Sequence, residues 1–214
     1  MNISYWRHHS YGESPWRSTT VWTAGCSIHC PGCFNQQLWS PSAGRPRSLL
    51  RIASRAQRLQ DAGLCIVGGE PFDQPWSLGF SLLLVRTCCA HLRITVHSGY
   101  TLQQLVKRPA SWLALLLIDF LVDGPFVQAL ADEDLGYRGS KNQRVIDLFR
   151  TRETGHLSLA NWDNRLVFSP ASLHGPTRLM CDLLPDLAVS GQATCALLEG
   201  HSAHWHRRVH NEPR

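Results

Sequence analysis

Lysine is nearly absent from this chain of 214 residues: Lys107 and Lys141 are the only two, so the formal net charge of +5 rests on arginine. Charged residues of any kind are sparse, at 17%, and no block of like charges occurs. That mild basic bias suits an anionic ligand or an acidic partner surface, and it is too weak to argue for nucleic acid. Long apolar runs are missing as well. The longest purely apolar stretch, Leu113 to Ile118, is stopped by Asp119, far short of the roughly 20 residues that a membrane span needs. The first residues, Met1 to His9, hold no apolar core of signal-peptide length. There is no internal repeat, and no second pair of cysteines in C-x2-C arrangement. The expectation is a soluble cytoplasmic protein with neither a nucleic-acid nor a membrane partner. Its length fits one domain, with or without an appendage, and suffices to bury a substantial core.

What the chain does hold is cysteine, three of its eight within the loop Cys26-Ser27-Ile28-His29-Cys30-Pro31-Gly32-Cys33. Such crowding points to metal chemistry in a reducing compartment rather than to a disulfide framework. Soft sulfur ligands select iron–sulfur clusters, zinc or copper(I) over hard cations. A structural zinc site wants four closed ligands and paired C-x2-C arms, so an iron–sulfur cluster is the leading reading, with zinc and unligated thiols as alternatives. Three thiolates on one loop hold three corners and leave a fourth open, where a small molecule can bind and react.

Along the chain, residues 1 to 18 read as an irregular N-terminal arm and residues 19 to 24 as a strand leading into the cysteine loop. From Pro46 to Ala62, Leu49, Ile52, Ala53, Ala56 and Leu59 fall at helical spacing, with Arg51, Arg55 and Arg58 on another face. Gly63 is placed to stop that helix. Leu64 to Val67 reads as a buried strand, Trp76 to His91 as an apolar helix, and Leu92 to His97 as a third strand. Leu102 to Lys107 and Ser111 to Leu115 look helical, Leu117 to Val122 is a further strand, and Val145 to Phe149 is compatible with one more. Beyond about residue 150 the alternation fades into short runs that read as hairpin-like or irregular, and the tail from His201 is polar and rich in histidine.

Strands alternating with helices argue for parallel β/α units, in which reactive groups collect at the C-terminal ends of the strands. That rule brings the cysteine loop, Gly68-Gly69-Glu70, Ser98-Gly99 and Asp123-Gly124 to one rim. A glycine pair after a strand is by itself an ordinary turn. Opposite three cysteines it gains a role, because glycine lets backbone carbonyls approach a ligand closely and Glu70 can accept hydrogen bonds from an ammonium group. Cys65, Cys88 and Cys89 lie on apolar segments and read as core packers. Cys181 and Cys195 are too few for a second cluster, and the histidines at 201, 204, 206 and 210 read as a solvated tail. His29 reads as a solvated or packing residue, and Trp39 and Trp76 stand close enough to the motifs to line the site.

Cys26-x3-Cys30-Pro31-Gly32-Cys33-Phe34-Asn35, Gly68-Gly69-Glu70-Pro71, Ser98-Gly99-Tyr100-Thr101, Val122-Asp123-Gly124-Pro125-Phe126 and Arg138-Gly139-Ser140-x-Asn142-Gln143 occur in the order and rough spacing of the radical S-adenosylmethionine enzymes. More narrowly, the chain resembles the activating proteins of anaerobic ribonucleoside-triphosphate reductase, over about residues 17 to 149. The resemblance implies an α/β fold, a partial (β/α) barrel of the radical SAM type spanning residues 1–150, followed by a C-terminal extension at residues 151–214. It implies that Cys26, Cys30 and Cys33 bind three irons of a 4Fe-4S cluster while S-adenosyl-L-methionine chelates the fourth. Gly68, Gly69 and Glu70 would hold the methionyl amino group, with Gly32 and Phe34 beside the cluster. Ser98, Asp123, Arg138, Ser140, Asn142 and Gln143 would contact ribose, carboxylate or substrate, or else cap turns. An electron from a flavodoxin or ferredoxin-like donor would break the sulfonium bond, giving a 5′-deoxyadenosyl radical that takes hydrogen from a backbone glycine of the reductase.

Two departures bear on the target. Family members carry Gly-Pro-Gly-x-Arg ahead of the first strand, whereas this chain has Gly12-Glu13-Ser14-Pro15-Trp16-Arg17, keeping clearly only the arginine. Small members also end near the position of Arg150. Two alternatives therefore stand beside the glycyl-radical activase. One is a radical enzyme acting on a peptide or small molecule recognised by residues 151–214; the other is a non-catalytic iron–sulfur or zinc module.

Overall fold

The computed structural model of the protein describes residues 1–162. Most of the expected extension, including Cys181, Cys195 and the tail histidines, lies outside the described residues. Seven strands form one open sheet: β1 (Asn2–Ser10), β2 (Ser18–Thr23), β3 (Arg45–Pro46), β4 (Gly63–Gly68), β5 (Arg93–Ser98), β6 (Phe120–Asp123) and β7 (Arg144–Asp147). Their order is β3-β1-β2-β4-β5-β6-β7. The four central strands, β2, β4, β5 and β6, run parallel, and β1, β3 and β7 are antiparallel to their neighbours. Among the described residues four α-helices lie between the strands, α1 (Leu49–Arg58), α2 (Pro75–Cys88), α3 (Leu102–Val106) and α4 (Trp112–Leu117), and α5 (Leu148–Thr154) follows β7. The α/β class expected from the sequence is thus observed.

Pleating sends alternate side chains of each strand to opposite faces. Val21, Ile66, Val96 and Leu121 face the helices and pack with Leu49, Ile52, Ala53, Leu78, Leu82 and Val85 into the main core. Fully burying each such aliphatic side chain contributes roughly 1.5–3 kcal/mol. Trp22, Cys65 and Val67 point the other way and form a smaller cluster with Leu38. One face of the sheet is therefore given to stability, and the face without that helix cover is left for chemistry. Among the described residues no helix is long and apolar enough to cross a membrane.

Local sequence explains the helix ends. Ser48 accepts from the Arg51 amide at the start of α1, Thr101 and Gln104 form a reciprocal capping box on α3, and Asp147 accepts from the Arg150 amide on α5.

Several expectations are corrected. The N-terminal arm is a nine-residue strand over Asn2–Ser10. Its period is masked because only Ile3 is buried, the rest of the strand meeting solvent on one face or the other. Gly63 does not cap α1; Leu59 does, and Gly63 opens β4 because a Cβ there would stand 2.2 Å from the Trp16 indole nitrogen. The apolar run at Leu117 belongs to α4, with the strand starting at Phe120. Cys65 and Cys89 are buried as expected, but Cys88 is exposed, being the last residue of α2. Helix α5 runs across residue 150, and Ser158 and Ala160 hydrogen-bond to Asp147 and Val145 of β7.

Arg86 ties α2 to the segment that joins α4 to β6. Its guanidinium, on a side chain 2% exposed, pairs with Asp119 at 2.7 Å and donates to the carbonyls of Leu117 and Leu92. Asp119 in turn accepts from the Ile94 amide. Arg86→Ala is expected to cost about 3–5 kcal/mol, since it strands a carboxylate and two carbonyls without their donor; urea unfolding of the purified variant measures it.

Candidate metal and cofactor site

Because β2, β4, β5 and β6 run parallel, their C-terminal ends deliver four loops to one place. A cavity of about 230 Å³ opens there, on the face of the sheet to which Trp22, Val67 and His97 point. Cys26, Cys30, Cys33 and Phe34 line one side of it, and Gly68, Gly69 and Glu70 lie on its wall with Ser98 and Gly99. Gly124, Phe126, Gly139 and Gln143 bring the third side.

The cysteine loop is fixed at its root. The Gly25 amide donates to the Leu38 carbonyl at 2.9 Å and the Cys26 amide to the Trp39 carbonyl at 3.0 Å. Ser27 gives both its amide and its hydroxyl to Asp73, at 2.7 and 3.0 Å, and the Tyr100 hydroxyl donates to the same carboxylate at 3.0 Å. At the tip, the Cys33 amide closes a turn onto the Cys30 carbonyl at 3.1 Å. His29 packs its ring 4.6 Å from that of Trp39, so it serves packing as expected.

The glycine pair acts through close approach. Gly68 has φ +109°, a region that side chains avoid, and a Cβ on it would stand 2.5 Å from the Thr23 nitrogen. A Cβ on Gly69 would stand 2.2 Å from the Gly25 carbonyl oxygen. Without those atoms the end of β4 lies against the root of the cysteine loop, the Gly69 amide donating to Thr23 at 2.9 Å and the Glu70 amide to Gly25 at 2.8 Å.

Glu70 is 1% exposed. Its carboxylate accepts from the Phe72 amide (2.9 Å), the Ser98 hydroxyl (2.9 Å) and the Gly99 amide (2.8 Å). Burial raises its pKa to about 7 against the pull of those three donors, and nearby Asp73 adds to the rise. His97 is buried and pushed down to about 4, mainly by desolvation. Its Nε2 lies 3.0 Å from the Glu13 carbonyl oxygen. A carbonyl only accepts, so Nε2 carries the proton of the neutral ring.

The segment after Arg138 braces the third side. Gln143 accepts from the Gly139 amide at 2.8 Å and donates to the Gly124 carbonyl at 2.9 Å. Asn142 donates to the Pro125 carbonyl at 2.7 Å, and Ser140 accepts from the Val127 amide at 3.2 Å. Asp123 is 1% exposed and engaged by Arg144 and the Leu102 amide. Asp123, Ser140, Asn142 and Arg138 thus shape the wall without standing on it, and Gly32 lies behind it against the Gln128 side chain. Trp39 lines the cavity, whereas Trp76 is 59% exposed on α2.

Among the lining residues that were not anticipated are Glu13, Trp22 and His97. The period-2 alternation of β2 and β5 could have found the latter two, since they alternate with core residues. Glu13 sits in the segment that departs from the family pattern, which was the available signal. Arg17 of that segment points away, donating to the Leu59 and Gln60 carbonyls and facing Asp61 at 3.3 Å.

The donor set fits an iron–sulfur cluster. Cys26, Cys30 and Cys33 are free and half-buried on one side of the cavity. Burial raises the thiol pKa of Cys26 and Cys30, opposed by backbone amides, so a bound cation would be what holds them as thiolates. Among the described residues no three His, Cys, Asp or Glu side chains are grouped for a single metal ion. Three cysteine thiols brought to the wall of one cavity match the ligand type of an iron–sulfur cluster.

Comparison with known proteins agrees. The family described as 4Fe-4S single cluster domain matches residues 14–146. A Vibrio cholerae serotype O1 protein named anaerobic ribonucleoside-triphosphate reductase-activating protein is 38% identical over 141 residues, 62% of this chain and 89% of its own length. Proteins of the same name from Pasteurella multocida and Escherichia coli strain K12 are 36% and 35% identical, over 59% and 64% of this chain and 84% and 92% of their own lengths.

Two substitutions test this geometry. Gly69→Ala is expected to destabilise the protein by about 1–3 kcal/mol, because the methyl must push the Gly25 carbonyl aside, and thermal unfolding reads the loss. Glu70 binds its proton more tightly folded than unfolded. Its stabilising contribution is therefore full below pH 4.5 and is lost as pH rises through about 7. Urea midpoints of the metal-free protein across that window should fall with rising pH, and Glu70→Gln should remove this part of the slope.

Proposed function

Since the chain belongs to the family of anaerobic ribonucleoside-triphosphate reductase-activating proteins, built on a 4Fe-4S single cluster domain, we propose that it is a radical S-adenosylmethionine enzyme that installs a glycyl radical on an anaerobic ribonucleotide reductase. The observation that carries this reading is the meeting of Cys26, Cys30 and Cys33 with Gly68, Gly69 and Glu70 across one cavity. We read the open sheet as a partial (β/α) barrel over residues 1–150 and residues 151–214 as an added segment, in a cytoplasmic protein.

In this reading Cys26, Cys30 and Cys33 would hold three irons, across the cavity from Gly68, Gly69 and Glu70 at the end of β4. When bound, the cluster and S-adenosyl-L-methionine supply reductive cleavage of the sulfonium S–C5′ bond, with the electron taken from a flavodoxin or ferredoxin-like donor. The chain's own residues bind, orient and exclude water. Glu70 sits near the midpoint of its titration, so an ammonium group brought against it draws it into the charged form. The Gly68-Gly69 backbone, packed against Thr23 and Gly25, fixes the end of β4 so that Glu70 stands on the cavity wall where that group would bind. Ser98 and Gly99 keep the Glu70 carboxylate aimed while it binds. Phe34 is 76% exposed, with its ring 5.2 Å from that of Phe126, and the pair stands at the mouth to keep water from the reacting centre. Gln143 holds the Gly124 wall opposite the cysteines, and Asp123, Ser140 and Asn142 act through that wall.

The family match ends at residue 146 of 214. That favours a second reading in which the chemistry is kept and the later residues recognise a different peptide or small molecule.

The test is anaerobic reconstitution with iron and sulfide, reduction with dithionite, and assay of 5′-deoxyadenosine from S-adenosyl-L-methionine. The unaltered protein should form it, and Cys30→Ala should lose cluster absorbance and product together. A fully loaded cluster that gives no product defeats both enzyme readings. A glycyl radical seen by electron paramagnetic resonance on co-incubated reductase selects the first target; product without that radical selects the second.

A further inference from the structure

Between Phe34 and Gln60 the chain contains no aspartate or glutamate, and it contains five arginines: Arg45, Arg47, Arg51, Arg55 and Arg58. All five are exposed. Among the described residues none pairs with a carboxylate, whereas Arg86, Lys141, Arg144 and Arg150 each do. Arg51, Arg55 and Arg58 recur at helical spacing on α1, opposite the buried Leu49, Ile52, Ala53 and Ala56. The row continues past the end of the helix. Arg47 lies 5.2 Å over the ring of Trp6, itself 38% exposed on β1, and Arg45 pairs with Ile3 at the sheet edge. Unpaired guanidiniums beside an exposed indole have the composition of an interface rather than of a solvated face studded with ion pairs.

The position of the row narrows its partner. Asn2, paired with Pro46 beside Arg45, donates its side-chain amide to the carbonyls of Ala24 and Pro41 at 3.3 and 2.8 Å. The arginines therefore begin at the root of the cysteine loop. Yet α1 covers the helical face of the sheet, and the cavity opens on the other. A molecule seated on the arginines of α1 meets the helical face of the sheet and not the face on which the cavity opens. An electron needs no entry to that cavity.

We propose that this arginine row is the docking surface of an acidic one-electron carrier protein. The inference rests on the cluster reading for its purpose: one electron leaves the reduced carrier, which is oxidised, and enters the cluster, which is reduced, with no atom transferred. Its geometry rests on the charge pattern alone. Uncompensated surface charge of one sign steers an oppositely charged partner and makes association sensitive to salt.

The experiment uses flavodoxin as the acidic carrier and reads binding apart from catalysis. Calorimetric titration of the full chain with flavodoxin at low ionic strength is compared for the unaltered protein, for Arg51→Glu with Arg55→Glu, and for Arg150→Glu as a control on α5, which follows β7 at the opposite edge of the sheet. The double reversal should raise Kd by about tenfold or more, a gap that narrows as added salt shortens the screening length, while Arg150→Glu leaves Kd unchanged. Flavodoxin-driven formation of 5′-deoxyadenosine should fall in parallel, with the dithionite-driven rate retained. Both substituted arginines are exposed, so folding is preserved, and circular dichroism checks it. Equal Kd in all three proteins overturns the surface, whatever the outcome of the cofactor assay. Flavodoxin binding that survives while binding of the reductase weakens overturns it too, because the row then belongs to the substrate.

Discussion

Everything proposed for the site depends on how close the end of β4 comes to the beginning of the cysteine loop. The Gly69 and Glu70 amides donate to Thr23 and Gly25, at 2.9 and 2.8 Å, across more than forty positions of sequence. That approach exists because two consecutive residues lack a side chain, and it leaves no slack: a single methyl would have to occupy space already held by backbone atoms. Side chains elsewhere can repack when a neighbour changes. Two main chains in contact have no side chain to adjust, so the position of Cys26 relative to Glu70 is set by backbone hydrogen bonds rather than by side-chain packing.

Glu70 stands under opposing demands. Three donors hold its carboxylate rigidly between β4 and β5, and rigidity is what an orienting group needs. The same enclosure removes water and leaves the ionised form poorly favoured. A residue tuned this way is costly as pure scaffold, because a neutral side chain would brace the strands without the penalty. The cost is consistent with a group kept for a cationic visitor, and the parallel sheet explains why such a residue lies at a strand end rather than in the core.

Much of this was legible in the sequence. The cysteine spacing, the Gly-Gly-Glu segment and the three later motifs were readable as short local patterns, and the rule that parallel strands present their C-terminal ends together was enough to gather them. The helical face of α1 was readable from its 3.6-residue period. What escaped depended on relations between distant segments. The strand over Asn2–Ser10 looked irregular because pairing with β2, not burial, makes it a strand. Gly63 looked like a helix stop because nothing local reveals that Trp16 fills the space beside it. Asp73 gave no sign of tethering Ser27, since a carboxylate in a turn has no periodicity to betray it. Asp123, Ser140 and Asn142 sit in motifs that mark the right neighbourhood, but whether a side chain faces a cavity or supports its wall is decided by register.

The cysteine loop is anchored unevenly, and that has a consequence for how it would receive iron. Cys26 and Ser27 are tied to Trp39 and Asp73, while Cys30 and Cys33 are joined by a turn of their own. The root of the loop is therefore fixed to the body of the fold, while the tip carries Cys30 and Cys33 on its own turn, with the Asn35 amide donating to the Cys33 sulfur at 3.4 Å. On the proposed reading, iron would meet one thiol at an anchored root and two on a closed turn, so the spacing between root and tip, rather than any single thiol, would set how well the loop fits its cluster.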